Sequence, residues 1–217
     1  MTSTFPGSPR LLKGGLVLAD AVSGAILRVI TLQYNPDTIT RSLQAKTIGA
    51  DSGDRSEALR LKGPAVETIK LEAEIDATDQ LETADARTIE VGIHPQLAAL
   101  ETIIHPSSRE LNDNNNLAQS GTLEIIPMEA PLALFVWSKN RVVPVRVTEL
   151  SITEEAFDAA LNPIRAKVSL GLRVLSVDDF GFAQLGGSLF MTHLQQKEQL
   201  AARSPGGALA ALGIGGL

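Results

Sequence analysis

Hydrophobic and polar positions alternate with period two over much of this chain, and the breaks in that alternation outline a series of short strands. Leu16–Ala19 and Ala25–Tyr34 are apolar runs separated by Asp20 to Gly24, whose Asp, Ser and Gly predict a hairpin turn. In the second run Ile30, Leu32 and Tyr34 alternate with Thr31 and Gln33 until Asn35-Pro36-Asp37. Proline gives up a ladder donor there, and the strand is expected to stop. Ile39–Thr47 is a weaker strand, and Gly49–Glu57 reads as an exposed polar loop suited to an outward extension or a partner contact. Val66–Ile75 is the clearest strand. Ile69, Leu71, Ala73 and Ile75 face one way and Thr68, Lys70, Glu72 and Glu74 the other, which predicts an antiparallel strand with one wet or partner-facing side.

The middle of the chain changes period. Asp76–Glu90 is acidic with Ala and Thr between the charges, and reads as the start of a helix. His94-Pro95 opens a helix running through Ile104: Leu97, Leu100 and Ile104 recur at helical spacing, and Pro106 follows its end. Arg109–Gly121, with Asn112, Asp113, Asn114, Asn115 and Asn116, reads as a loop. Beyond Thr122 the β pattern returns. Leu132–Trp137 is apolar on both faces, as in a central strand or one covered by a neighbouring subunit. Ser138 to Asn140 turns into Arg141–Leu150, with Val143, Val145 and Val147 on one face. Ile152–Pro163 carries acidic residues and an Asn-Pro turn, and Ala166–Val177 places Val168, Leu170, Leu172 and Val174 together. These segments predict an antiparallel meander.

From Asp178 the composition shifts. Gly186-Gly187 is a candidate hinge, Ser188 a cap for a helix to about Arg203, and Pro205 its stop. Leu189, Phe190, Leu194 and Leu200 form no strong stripe, so this helix is expected to dock on another surface. The Gly/Ala-rich remainder reads as a flexible tail or a strip that orders on a partner. The expected organisation is therefore a flexible arm over residues 1–12, a β domain over 13–178, and a C-terminal helix with its tail over 179–217. The fold class is mainly β (α+β).

Composition narrows the chemistry. With 217 residues, 44% of them hydrophobic, the chain can build a sizeable core without metal or disulfide staples. It has no cysteine, which removes thiolate catalysis, cysteine-ligated metal centres and disulfides together. The net charge of −6 comes with no basic stripe, against a nucleic-acid partner. One Trp, one Tyr and six Phe are too few for a stacking platform for bases or sugars. No apolar run approaches the roughly 20 residues of a membrane-spanning helix, and none of signal-peptide length precedes Leu16. The expectation is a soluble protein made without a cleaved leader and without membrane insertion.

Candidate active groups are sparse. Glu72 and Glu74 share a strand face, but no histidine, second acid pair or glycine-rich pocket accompanies them, which favours a solvated face. His94 and His105 end the same helical segment too far apart for one metal. The Asn-rich run lacks the glycine and closing glutamate of a calcium loop. No phosphate-cradling loop or nucleophile elbow is present. Carboxylates alone could still hydrolyse a glycoside, but nothing else in the sequence supports an enzyme. No cofactor is expected.

Several stretches resemble the tube-type proteins of contractile injection systems, the bacterial particles related to phage tails. Leu32-Gln33-Tyr34-Asn35-Pro36 followed by Thr38 and Thr40 looks like the family's early strand and aromatic-Asn-Pro turn. Leu61-Lys62-Gly63-Pro64 with the strand Glu67–Ile75 is similar to its next block, and GIHPQLAALE fits its packed helix. The most specific segment runs from Leu134–Trp137 through VVPVRVTELSITEEAFDAALNPIRAKVSLGLRVLS. The resemblance covers Lys13 to about Arg203. It implies an antiparallel β-sandwich or barrel of the tail-tube type with one flanking helix, assembled in six-membered rings that line or terminate an inner tube.

Spike-proximal members often carry a C-terminal LysM module, and none is evident after Val177. A hub ring between tube and spike is the favoured position; an inner-tube or tube-initiator ring, an effector-loading adaptor outside any particle, and an enzyme with a carboxylate site are the alternatives. The implied partners are further copies of the chain, the spike, the inner tube protein and baseplate wedge proteins, met during cytoplasmic synthesis and assembly into a released or membrane-attached particle. The implied contact residues are Tyr34, Asn35, Pro36, Trp137, Glu154, Glu155, Phe157, Asn162 and Arg165. Glu154 and Glu155 are expected on a hairpin loop, forming salt bridges across subunits.

Overall fold

A computed structural model describes residues 12–47, 60–121 and 129–215. The expected N-terminal arm up to residue 11 and the polar loop Gly49–Glu57 lie outside the described residues. Seven antiparallel strands, β1 (Gly15–Ala19), β2 (Ile26–Thr31), β3 (Ile39–Gln44), β4 (Val66–Asp76), β5 (Leu132–Ser138), β6 (Arg141–Phe157) and β7 (Pro163–Val174), form one sheet in the order β2-β1-β5-β6-β7-β4-β3. The protein is mainly β, and its second half is the meander that the alternation predicts. The β1–β2 hairpin closes through Asp20, whose Oδ1 accepts from the backbone N–H and hydroxyl of Ser23.

The inner face of the sheet carries the core. Leu16 and Leu18 of β1, Ile69, Leu71, Ala73 and Ile75 of β4, Phe135 of β5, Val143 and Val145 of β6, and Ala166 to Val174 at alternate positions of β7 are buried together. The sheet curls, bringing the segment after β2 to the end of β4. There the Gln33 amide donates to the Asp76 carbonyl at 2.6 Å and accepts from the Asp76 N–H at 3.0 Å. One side chain thus makes the pair of bonds that a neighbouring strand would otherwise make. Between β2 and β4 the curl leaves an apolar cavity of about 350 Å³, with Ile30, Leu32, Ile75, Leu100 and Leu170 in its lining.

Four expectations are corrected by the structure. First, where the resemblance implies one flanking helix, the described part of the crossing from β4 to β5 holds four: α1 (Thr78–Glu82) and α2 (Ala86–Val91), within the acidic stretch read as a helix start, α3 (His94–Glu101) and α4 (Ser108–Gln119). Second, the Asn-rich stretch is α4, not a loop. Ser107 and Glu110 form a complete capping box that satisfies the first-turn donors and outweighs the weak propensity of the asparagines.

Third, β6 continues through Ile152–Phe157, where a turn region was expected, so Glu154 and Glu155 lie on a strand. The reason is a change of phase. Val143, Val145 and Val147 face inward, then a bulge between Val147 and Glu149 shifts the inward set to Leu150 and Ile152. Gly171 of β7 faces this bulge, where an added Cβ would come within 3.0 Å of the Glu149 side chain. Fourth, α5 (Leu185–Ala201) begins before Gly186-Gly187 and includes both. They are contact points rather than a hinge: a Cβ at Gly186 would come within 2.5 Å of the Phe180 ring, and one at Gly187 within 2.3 Å of the Gly181 carbonyl oxygen. The helix closes one end of the sheet, where Phe190 joins the core. A 3-10 turn at Leu209–Leu212 follows it.

Candidate assembly interface

The β2 edge, the β3 edge and the tip of the β6–β7 hairpin are exposed. Among the described residues β2 pairs with β1 alone and β3 with β4 alone, so within that set each leaves backbone groups unpaired along one side. β2 is also apolar. Ile26, Leu27 and Val29 are 68%, 59% and 56% exposed, and Val22 in the preceding turn is 94% exposed. On β3 Leu43 is exposed to a similar degree.

The hairpin tip is built by Asp158. Its carboxylate accepts from the backbone N–H groups of Ala160 and Asn162, both at 2.8 Å, and from the Asn162 side-chain amide at 2.9 Å. The Asn162 bonds hold its pKa below the usual carboxylate range. Asn162 also donates to the Glu90 carbonyl, and the Ile93 N–H donates to the Pro163 carbonyl, fastening the tip to α2 and α3. Phe157 and Leu161 are left outside; Leu161 is 77% exposed and has a φ of +66°.

The sequence-derived contact residues divide by what their side chains touch. Asn35 accepts from the Gly14 N–H and donates to the Leu12 carbonyl, tying the incoming chain to the turn after β2. Trp137 stacks on Phe135, with ring centroids 6.1 Å apart, and covers Gly14. Arg165 pairs with Asp76 at 2.8 Å, and Glu155 pairs with Lys167 at 2.7 Å within the chain. Asn162 belongs to the hairpin turn, and Pro36 is half-buried. Tyr34, Glu154 and Phe157 are exposed, and Glu154 has no ion-pair partner among the described residues. The set forms no single patch: Tyr34 to Pro36 lie beyond β2, Trp137 on β5, and the others along the β6–β7 hairpin.

A second constellation was missed in the sequence. Glu67 lies on the inner row of β4, two residues before Ile69, and is 6% exposed. Arg41 of β3 reaches it at 2.6 Å and Lys197 of α5 at 2.8 Å. Burial pushes the Glu67 pKa up, but the hydrogen bonds and charges of Lys197 and Arg41 prevail and hold it below the ordinary value. His193 is one helical turn before Lys197 and only 5% exposed. Its Nδ1 has no hydrogen-bond partner among the described residues, and burial, aided by the Lys197 charge, lowers its pKa to about 4. The available signal was parity: Arg41 falls on the Ile39 and Leu43 side of β3, and Glu67 on the Ile69 side of β4.

No protein-family model matches the chain, and no curated protein matches its sequence. Among solved structures, a chain in the tail of an empty gene transfer agent (GTA) particle, computed with helical refinement in C6 symmetry, is 12% identical. It aligns with a TM-score of 0.30 over 75% of this chain and 90% of that one. A chain in the virion of a native gene transfer agent particle is 11% identical, with a TM-score of 0.28 over 74% and 90%.

Proposed function

We propose that this chain is a non-enzymatic structural subunit of a phage-tail-like contractile injection particle, joined to further copies in a ring of the hub that links inner tube to spike. The observation that carries the reading is the pair of free strand edges at opposite ends of one curled sheet, β2 being apolar and exposed along nearly its whole length. An exposed apolar edge is an aggregation hazard in an isolated protomer. A head-to-tail ring gives both edges a neighbour and closes without leaving any edge over. The resemblance of the β2–β3 and β5–β7 segments to tube-type proteins supports the same arrangement. Tyr34, Glu154 and Phe157 are sequence-derived residues whose side chains are exposed to a neighbour, the Tyr34 hydroxyl accepting from the Gln33 amide.

Electron microscopy of particles carrying this chain with a C-terminal tag tests the reading. One ring of labels at the baseplate end is the expected result. Labels along the tube would make it an inner-tube protein, and unlabelled intact particles would favour the loading adaptor.

A further inference from the structure

The inner face of the sheet ends in charge at the side closed by α5. Glu67, Arg41 and Arg141 stand on inward positions of β4, β3 and β6, and α5 brings Lys197 and His193 over them. Arg41 and Lys197 share the Glu67 carboxylate at 2.6 and 2.8 Å. The Arg141 guanidinium is half-buried and has no ion-pair partner among the described residues. Among the described residues, then, two cations share one carboxylate beside a neutral His193, and a third, Arg141, stands close enough to feel their charges, leaving an excess of positive charge. The other acids near this end, Asp178 and Asp179, are committed to Lys46 and Arg173 at 2.6 and 2.7 Å.

Partly desolvated charge of one sign is costly unless an opposite charge joins it. We infer that this end of the sheet is an oxyanion site, in which Arg141, Arg41 and Lys197, packed beside His193, receive a carboxylate or phosphate-type group. A guanidinium suits that geometry because its donors form a planar fork. Burial and the neighbouring Arg41 charge both lower the Arg141 pKa, and the Arg141 charge in turn lowers that of His193, so the groups act as one electrostatic unit. A bound anion relieves all of them together. The group comes either from a free oxyanion or from an acidic side chain of a second copy.

Thermal melting at pH 7 and fixed ionic strength separates these sources. For a free oxyanion, replacing chloride by inorganic phosphate raises the midpoint of the native chain by several degrees and leaves Arg141→Gln unmoved. For a second copy, the midpoint in chloride rises with protein concentration in the native chain and not in Arg141→Gln. Equal responses of the two proteins in both arms, or none, overturn the site. Should Arg141→Gln fail to fold, the native chain is followed by the ring resonances of its three histidines. Movement of His193 with phosphate or protein concentration, while His94 and His105 stay fixed, supports the site, and a stationary His193 overturns it. Tagged-particle microscopy is indifferent to this result, so the ring assignment and the anion site fail separately.

Discussion

β1 and β2 are paired strands of nearly the same composition with opposite fates. Gly15–Ala19 is buried at four of its five positions, whereas Ile26–Thr31 is exposed at all but one. The two share a hairpin and a register in which Leu16 faces Ile30 and Leu18 faces Arg28. What separates them is place in the sheet. β1 lies between β2 and β5, and its inner side chains meet the core; β2 has a neighbour on one side only. Apolar character in this chain thus falls in two places, a core buried within the protomer and an exposed edge for which a second copy is the proposed partner.

The comparison is testable by substitution, beginning with the core. Phe135 is 1% exposed and supports Trp137, so Phe135→Ala is expected to cost about 3–5 kcal/mol in denaturant unfolding. Next comes pH. His193 stays neutral in the folded chain down to about pH 4, whereas the unfolded chain takes up the proton near 6.5. Between those values the unfolded state binds more protons, so stability is full above about pH 6.5 and falls as pH drops towards 4, by on the order of 3 kcal/mol. Urea melts of the native chain and His193→Leu across this window check it, the variant showing the shallower slope. Glu67→Gln leaves Arg41 and Lys197 without their counter-charge and is expected to cost roughly 2–3 kcal/mol in the same assay.

The outward features respond differently. Leu161 has a left-handed backbone at an exposed site, so Leu161→Gly is expected to stabilise the protomer by roughly 0.5–1 kcal/mol. Replacing Leu27 and Val29 together by Thr keeps strand propensity while removing exposed apolar surface. Protomer stability should change by less than about 0.5 kcal/mol, while ring formation in light scattering is lost. Unchanged ring formation would dissociate the β2 edge from assembly.

Much of the sheet is legible in the sequence because its inner row is apolar. β4 shows strict alternation, β5 is apolar on both faces as a central strand should be, and β7 repeats the pattern. Elements go unread where chemistry and position disagree. Arg41 and Glu67 occupy inward positions usually filled by apolar residues, so a hydrophobic pattern passes over them. The buried side of α5 includes Gly186, Gly187, Phe190 and His193 and ends in Lys197 on Glu67. Small and polar residues on that side hide the stripe. The end of β6 is lost for another reason, since its bulge changes the inward set from odd to even positions and interrupts the alternation. Helix α4 was readable from its capping box, Ser107 with Glu110, had the asparagines not dominated its composition. Nor does the sequence carry the partners that Asn35, Asn162 and Arg165 have inside the chain.

The bridge from Gln33 to Asp76 sets how stiff the protomer is around its own axis. A sheet sealed by a full ladder has one circumference, and widening it breaks many bonds in concert. Among the described residues the curl is fastened at this point by the two bonds of one amide, and breaking them leaves the ladders of β2 on β1 and of β4 on β7 intact. If the proposed ring forms, subunits fastened in this way give it some tolerance in diameter where two structures of unequal girth meet.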